Sequence, residues 1–320
     1  MSGFMEGAMA RWQRLESYLD RLESHSSARL AADELDEFVL LYRLACADLA
    51  RVRRDSPGQD VETYLNEIVA RGHKQFRPPS HPPLRRLLLF IAVEFPREVR
   101  ALGVHLLVAC LLFFVPMGVV GLYVYANPAA AYSLAPPSAL ESLADAYAQG
   151  HAAGRSESED SLMAGYYINN NVGIAFQCFA TGVFFGLGSV LALLFNGIVI
   201  GAIGGFICGS GHAGHFLSFV SGHGAFELTA IALCGAAGIR MGMLLVNPGR
   251  WTRATALLLQ SPSILMVVLG AAAMLVAAAF IEGFWSPSSA PALVKYIVAA
   301  VLWTGVIAWL GLAGRRGEQR

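Results

Sequence analysis

Two ionisable side chains at helical spacing are the clearest candidates for chemistry in this sequence. His223 and Glu227 are four residues apart, so on a helix they share one face. They lie in a long apolar stretch, where a carboxylate is costly and usually needs a partner. The pair could bind a proton or a cation. Alternatively, Glu227 could accept backbone hydrogen bonds at a glycine-rich break and fix the fold, and we favour this structural role.

Other polar residues nearby extend the candidate site. His212 and His215 form an HxxH pair that could join His223 and Glu227 around zinc. HExxH and a nucleophile elbow are absent from the sequence, and free loop histidines are the commoner outcome, so we predict no catalytic residue, no metal and no cofactor. Asparagines before a span are also good helix caps. The predicted polar intramembrane site consists of His223, Glu227, Asn196 and Asn170.

Glycines at four-residue spacing form a second candidate surface. They are Gly182, Gly186, Gly197, Gly201, Gly205, Gly238 and Gly242. Small residues at this spacing let two helices approach closely in a membrane. This surface could join two subunits or pack helices within one chain, and a dimer can use both kinds of contact.

The composition predicts that membrane helices position these residues. The chain has 320 residues, of which 55% are hydrophobic and only 14% are charged. An average soluble protein carries roughly 25% charged residues. The net charge is zero and no aromatic-rich basic surface occurs, so we predict a lipid bilayer and no nucleic acid as a partner. The five cysteines form no CxxC pair, which indicates neither a disulfide framework nor a zinc ribbon.

The distribution of apolar residues divides the chain into regions. Residues 1–83 carry apolar stripes at helical spacing and are predicted to form a cytoplasmic helical domain. Residues 84–100 are apolar between basic ends, so they either form an amphipathic juxtamembrane helix or continue into the first span. Residues 101–314 form the predicted transmembrane domain, with a polar outer loop at 127–168, and residues 315–320 form a cytoplasmic tail.

About six spans fit the transmembrane domain. The clear ones are predicted at residues 101–126, 172–195, 225–246, 263–284 and 293–312. Asn196-Gly197 is a turn signal. If the chain turns there, Ile198–Cys208 is either a short span or half of a broken or re-entrant span that Phe216–Val220 completes. The predicted fold class is therefore all-α, a polytopic membrane helix bundle of about six spans with an N-terminal cytoplasmic helical domain.

Basic residues set the predicted orientation. Residues 51–100 contain ten Lys and Arg, whereas the loop at 127–168 contains one, against five acids. The positive-inside rule then places both termini in the cytoplasm. Glu282 and Lys295 flank the last outer loop and are predicted to be solvated. Glu227 is predicted to lie within one turn of the outer interface, because its span would begin close by.

Five short motifs follow one another along the chain. They are LYRLACADLARVR (Leu41–Arg53), NNxxxxxxxFxxGxxFGxGS (Asn170–Ser189), NGxxxG (Asn196–Gly201), HGxFEL (His223–Leu228) and the glycine-rich Gly235–Gly242. In this series and order, the chain resembles the stage II sporulation protein M family of integral membrane proteins. One departure is Gly222, where the family tends to have proline before the HG pair.

The resemblance implies a non-enzymatic membrane protein with a cytoplasmic helical N-terminus. In spore formers the namesake is a scaffold for peptidoglycan-degrading enzymes. Relatives in non-sporulating bacteria are typically encoded near MoxR-type AAA ATPases and von Willebrand factor A proteins, and the long N-terminal domain looks more like this branch. We therefore expect a homodimeric scaffold that recruits or positions such partners or cell-envelope machinery. The alternative is a channel or transporter with a polar site around His223 and Glu227.

Overall fold

The structure is a computed structural model that describes residues 2–24, 30–55, 59–75, 82–134, 136–148 and 171–315. All the elements within these ranges are helical and none is a strand, which confirms the predicted all-α class. The contacts divide the chain into two units, Met1–Pro82 and Pro83–Arg320. Asn170, residues 149–168 of the predicted outer loop and residues 316–320 of the predicted tail lie outside the described residues.

Three helices form the first unit. They are α1 (Ser2–Ser24), α2 (Ala32–Asp55) and α3 (Gln59–Gln75). Apolar side chains at helical spacing fill its core, among them Trp12, Leu15, Leu19, Phe38, Leu49, Leu65 and Ile68. The Trp12 indole N–H donates a hydrogen bond to the Asp48 carboxylate at 3.0 Å. At the surface, Arg71 of α3 donates hydrogen bonds to Glu23 and Asp20 of α1, and these bonds link the two helices. The same bonds raise the pKa of Arg71.

The membrane unit begins with a segment that packs against its last helix. It comprises α4 (Pro83–Leu89), a π-helical turn (Phe90–Glu94) and α5 (Phe95–Ala101). Phe95 is buried in the core of the bundle. The guanidinium groups of Arg97 and Arg100 donate hydrogen bonds to the main-chain oxygens of Gly314 and Leu310. A turn at Leu102–Gly103 separates this segment from the first span.

Four helical segments within the described ranges are long and apolar enough to cross a membrane, which confirms a polytopic membrane bundle. They are Val104–Ala126 (α6), Leu187–Val246, Arg253–Trp285 and Ala292–Leu312 (α12). The third consists of α11 (Arg253–Phe280) and a π-helical turn (Ile281–Trp285). The second consists of α9 (Leu187–Ile207), a π-helical turn (Cys208–His212) and α10 (Ala213–Val246).

The segment Leu187–Val246 is a hairpin, because the chain reverses at Gly211. This glycine has φ of 93°, which an L-residue with a side chain rarely adopts. The residues that face each other along the two arms are Leu193 with Gly235, Ser189 with Gly238, and Gly186 with Gly242. Their numbers run in opposite directions, so α9 and α10 are antiparallel. The segment therefore contributes two antiparallel helices, each long enough to cross a membrane.

The short apolar helix of the bundle is α8 (Asn171–Val183), which precedes the hairpin. At 1.5 Å per residue it is about 20 Å long. It ends in a tight turn at Phe184–Gly186, where Phe185 has φ of 54° and Gly186 has φ of 83°. The predicted continuous span at 172–195 is therefore wrong, because this turn interrupts it. The short element is α8 and not Ile198–Cys208, which belongs largely to α9.

The turn predicted at Asn196-Gly197 is also wrong, because both residues lie inside α9. The Asn196 side-chain amide donates to the Ala192 carbonyl at 2.8 Å, within the same helix. Gly197 lies directly against the Phe113 carbonyl of α6, where a Cβ would not fit. The side-chain amide of Asn196 thus has a hydrogen-bond partner within its own helix, and Gly197 permits close contact between α9 and α6.

Candidate functional site

The glycines of the predicted packing surface all lie at contacts between helices of this chain. Gly182 and Gly186 face Gly238 and Gly242 of α10. Three glycines of α9, Gly197, Gly201 and Gly205, face the main-chain oxygens of Phe113, Met117 and Gly121 of α6. These glycine faces are therefore covered within one chain. The surface for any partner subunit must be sought elsewhere on the bundle.

A third ionisable side chain, Glu282, joins His223 and Glu227. One side-chain atom each of His223, Glu227 and Glu282 lies within 4.8 Å of the other two. His223 Nε2 is 3.8 Å from Glu227 Oε2. His223 is 4% exposed and Glu282 is 7% exposed, so the group is well shielded by the bundle. The helix α10 supplies two members of this cluster, and the π-helical turn after α11 supplies the third.

The solvated positions predicted for Glu282 and Lys295 are wrong. Lys295 is 8% exposed, and its ammonium group donates a hydrogen bond to the Ser286 carbonyl oxygen at 2.7 Å. The same serine is 1% exposed, and its hydroxyl shares a hydrogen bond of 3.1 Å with His223 Nδ1. The hydrogen bond between Ser286 and His223 thus links the connection between α11 and α12 to α10.

Glu227 lies far from the beginning of its helix. Since α10 begins at Ala213, Glu227 is about 21 Å along it at 1.5 Å per residue. The start predicted for its span at residue 225 is therefore wrong, because α10 begins twelve residues earlier. No turn precedes His223, and Gly222 lies inside the helix.

An open cavity of about 790 Å³ reaches the cluster. Its walls come from α6, α8, α9 and α10 and are mostly apolar, with residues such as Leu122, Ile200 and Phe216. Its polar side chains include Asn171, His223, Glu227 and Glu282. A chamber of this size has room for many waters, since a single water needs roughly 30 Å³. A small solute or ion could therefore approach the carboxylates from the cavity.

The remaining residues of the predicted site lie apart from this cluster. Asn196 bonds within α9, and the His215 ring shares a hydrogen bond of 3.1 Å with the Tyr147 carbonyl. His212 lies at the start of α10. Among the described residues, the group of side chains that could hold a metal comprises His223, Glu227 and Glu282, without either of the other two histidines. Asn170 lies outside the described residues.

Glu282 is the functional candidate that pattern reasoning did not select. A signal was present in the sequence, because Glu282 is the only acidic residue between Arg253 and Leu312. A single carboxylate between two apolar stretches is a candidate for a functional group in a membrane protein. Its position at the predicted end of a span led instead to the prediction that it is solvated.

Two family models match the sequence. The first, described as Stage II sporulation protein M, matches residues 110–287. The second, described as a domain of unknown function (DUF8413), matches residues 3–77, which covers the three helices of the first unit. No curated protein and no solved structure matches the chain. The first match covers more than half of the 320 residues and includes His223, Glu227 and Glu282. The chain is therefore a multi-pass membrane protein that belongs to the stage II sporulation protein M family.

Proposed function

We propose that this protein is a membrane scaffold that recruits or positions partner proteins at the bilayer. The observation that carries this proposal is the joining of a helical unit with its own core to a multi-pass membrane bundle. Members of the family are not known as enzymes. The proposed partners are a MoxR-type AAA ATPase, a von Willebrand factor A protein or cell-envelope enzymes. The proposed location is the bacterial inner membrane, with both termini in the cytoplasm.

The second helix of the first unit offers a surface for such a partner. Leu40 of the first unit is apolar and yet 57% exposed. Asp33 and Asp36 are exposed and lie on the same face of α2, at spacings of three and four residues. An apolar side chain beside two carboxylates suits a partner surface with an apolar pocket and basic neighbours. The acidic face of α2 (Asp33, Asp36 and Leu40) is therefore the proposed recruitment surface.

Co-purification from native membranes tests the scaffold role. The full chain should bring down an ATPase, a von Willebrand-type protein or a cell-wall enzyme, identified by mass spectrometry. Leu40→Lys should reduce that recovery at least tenfold, because it places a cation in the apolar contact. Met9→Lys is the matched control, since Met9 is 49% exposed on another helix. Recovery of the chain without any of these partner classes would contradict the scaffold role.

We further propose that the scaffold is a homodimer. Since the glycine faces described above are covered within one chain, the subunits would meet through outward-facing sides of the bundle. Light scattering of the purified protein in detergent, corrected for bound detergent, measures the mass of the protein alone. The proposal requires twice the chain mass of 34.2 kDa. A single chain mass across the accessible concentration range would refute it.

A channel or transporter is the second candidate function. It is favoured by one observation, the buried cluster of His223, Glu227 and Glu282 at the wall of the open cavity. Polar sites within broken or glycine-rich helices are typical of transport pathways. In liposomes with an ion gradient, Glu227→Gln should reduce any flux at least tenfold because it removes a charge-carrying group. Glu141→Gln on the exposed face of α7 (Pro137–Ala148) is the control. Equal flux in both variants would exclude this path.

A further inference from the structure

We propose that His223, Glu227 and Glu282 together bind one divalent first-row transition-metal ion, for which zinc is the probe. This inference goes beyond the scaffold role and does not depend on it. The three side chains come from two separate elements, α10 and the turn after α11, and the fold brings their nitrogen and oxygen atoms within 4.8 Å of one another. An ion at this position would link the two elements.

The donor set indicates the class of ion. One imidazole nitrogen with two carboxylates is a mixed nitrogen and oxygen set, which suits zinc and similar ions better than sodium, potassium or calcium. Zinc bonds to such donors are about 2.0–2.2 Å long, so donors around one ion lie roughly 3.4 Å apart. The distance of 3.8 Å between His223 Nε2 and Glu227 Oε2 is close to that value. All three donor atoms lie within 4.8 Å of one another, so rotation of the side chains would have to close the remaining gaps.

The imidazole is already oriented for this role. Its Nδ1 shares a hydrogen bond of 3.1 Å with the Ser286 hydroxyl, while its Nε2 is the atom that faces Glu227. Histidines that bind metals usually have such a partner on the second ring nitrogen, because the partner fixes the ring and its tautomer. Ser286 is held in turn by the hydrogen bond that its carbonyl accepts from Lys295. Ser286 is therefore a positioning residue for the proposed ion.

The charge of the cluster provides a further argument. Glu282 is buried and Glu227 is largely shielded from solvent, and two such carboxylates in a membrane bundle are costly unless protons or cations neutralise them. Lys295 can offset at most one negative charge. A divalent ion interacts favourably with both carboxylates at once. The mostly apolar cavity provides an entry path and leaves one side of the ion open to water or a solute.

Zinc binding by the full chain in detergent tests the proposal. The purified protein is treated with a chelator, freed of the chelator and titrated with zinc against a fluorescent indicator. Wild type should bind one zinc ion per chain. Glu282→Gln should weaken binding more than 100-fold, because it replaces a carboxylate ligand with a neutral amide of similar size. Ser286→Ala should weaken binding by about 10–100-fold, the effect expected for losing the partner that orients a ligating histidine.

Two controls locate the ion. Glu141→Gln removes an exposed carboxylate and should leave zinc affinity unchanged. The double variant His212→Ala and His215→Ala removes the HxxH pair and should also leave it unchanged. The proposal is overturned if wild type binds no zinc. That is the result expected if protons, and not a metal ion, neutralise Glu227 and Glu282. It is equally overturned if the HxxH variant loses zinc while Glu282→Gln and Ser286→Ala keep it. Binding in detergent requires neither a partner nor flux, so its failure would leave the proposed functions standing.

Discussion

Gly242→Ala is expected to destabilise the membrane unit strongly. A Cβ at this position would overlap the backbone nitrogen and Cα of Gly186, at the tight turn between α8 and α9. Backbone atoms cannot rotate away as a flexible side chain can. The turn is itself constrained, because Gly186 has φ of 83° and Phe185 has φ of 54°. Relief of the overlap therefore requires α10 to move away from the turn.

The cost of that movement sets the size of the effect. Overpacking a well-packed core typically costs about 1–3 kcal/mol, and opposing backbones place this case at the upper end. A loss of about 3 kcal/mol would lower the melting temperature by about 6–12 °C in a unit of this size. Thermal unfolding in detergent, followed by size-exclusion chromatography, measures both the shift and the loss of monodisperse protein.

Gly305→Ala is the matched control for this experiment. Gly305 also lies inside an apolar helix, α12, but a Cβ there would meet nothing within 4 Å. Alanine is about 1 kcal/mol more favourable than glycine inside a helix, so this variant should melt at or slightly above the wild-type temperature. If Gly242→Ala and Gly305→Ala melted together, the close approach of α10 to the α8–α9 turn would be refuted.

Trp12→Ala is expected to destabilise the first unit strongly. Trp12 is 2% exposed and lies among the core residues of all three helices. Truncation of a buried tryptophan costs about 3–5 kcal/mol. At about 0.05–0.15 kcal/mol per residue, a unit of this size has a stability of roughly 4–12 kcal/mol. The substitution also removes the indole donor from the buried Asp48 carboxylate.

Hydrogen exchange on the full chain localises this second effect. Amides of α1, α2 and α3 should exchange at least 100-fold faster in Trp12→Ala, since about 3 kcal/mol corresponds to more than two factors of ten. Amides of α6 and α10 should keep their protection, because they belong to the other unit. Met9→Ala, at a position that is 49% exposed, should leave all of them unchanged. Retained protection in the three helices of Trp12→Ala would contradict the described core.

Much of the fold could be predicted from local patterns, because helix formation and membrane insertion depend mainly on residues that are close in sequence. Apolar periodicity was enough for the helices of the first unit, and long uncharged stretches were enough for a membrane bundle. The turn at Phe184–Gly186 was not predictable in this way, since the segment is as apolar as its surroundings. The Asn196-Gly197 pair is a turn signal by residue type, but both residues lie inside α9, where Gly197 packs against α6, a helix far away in sequence.

The candidate site was half predictable for a related reason. His223 and Glu227 lie on one helix, so their proximity follows from sequence spacing alone. Glu282 and Ser286 approach them only because α11 packs beside α10 and the following connection folds inward. Hydropathy assigns a charged residue at the predicted end of a helix to water. It contains no term for a polar partner that arrives from another helix.

Arg97 and Arg100 of α5 donate hydrogen bonds to main-chain oxygens at the end of α12, and this has a consequence for synthesis. The donor Arg97 and its acceptor in Gly314 are 217 positions apart. At a translation rate of about 5–20 residues per second, roughly 10–40 s pass before the acceptor has been made. During that interval both guanidinium groups must be satisfied by water or lipid headgroups. The contact between α5 and the end of α12 therefore forms only after α12 has been synthesised.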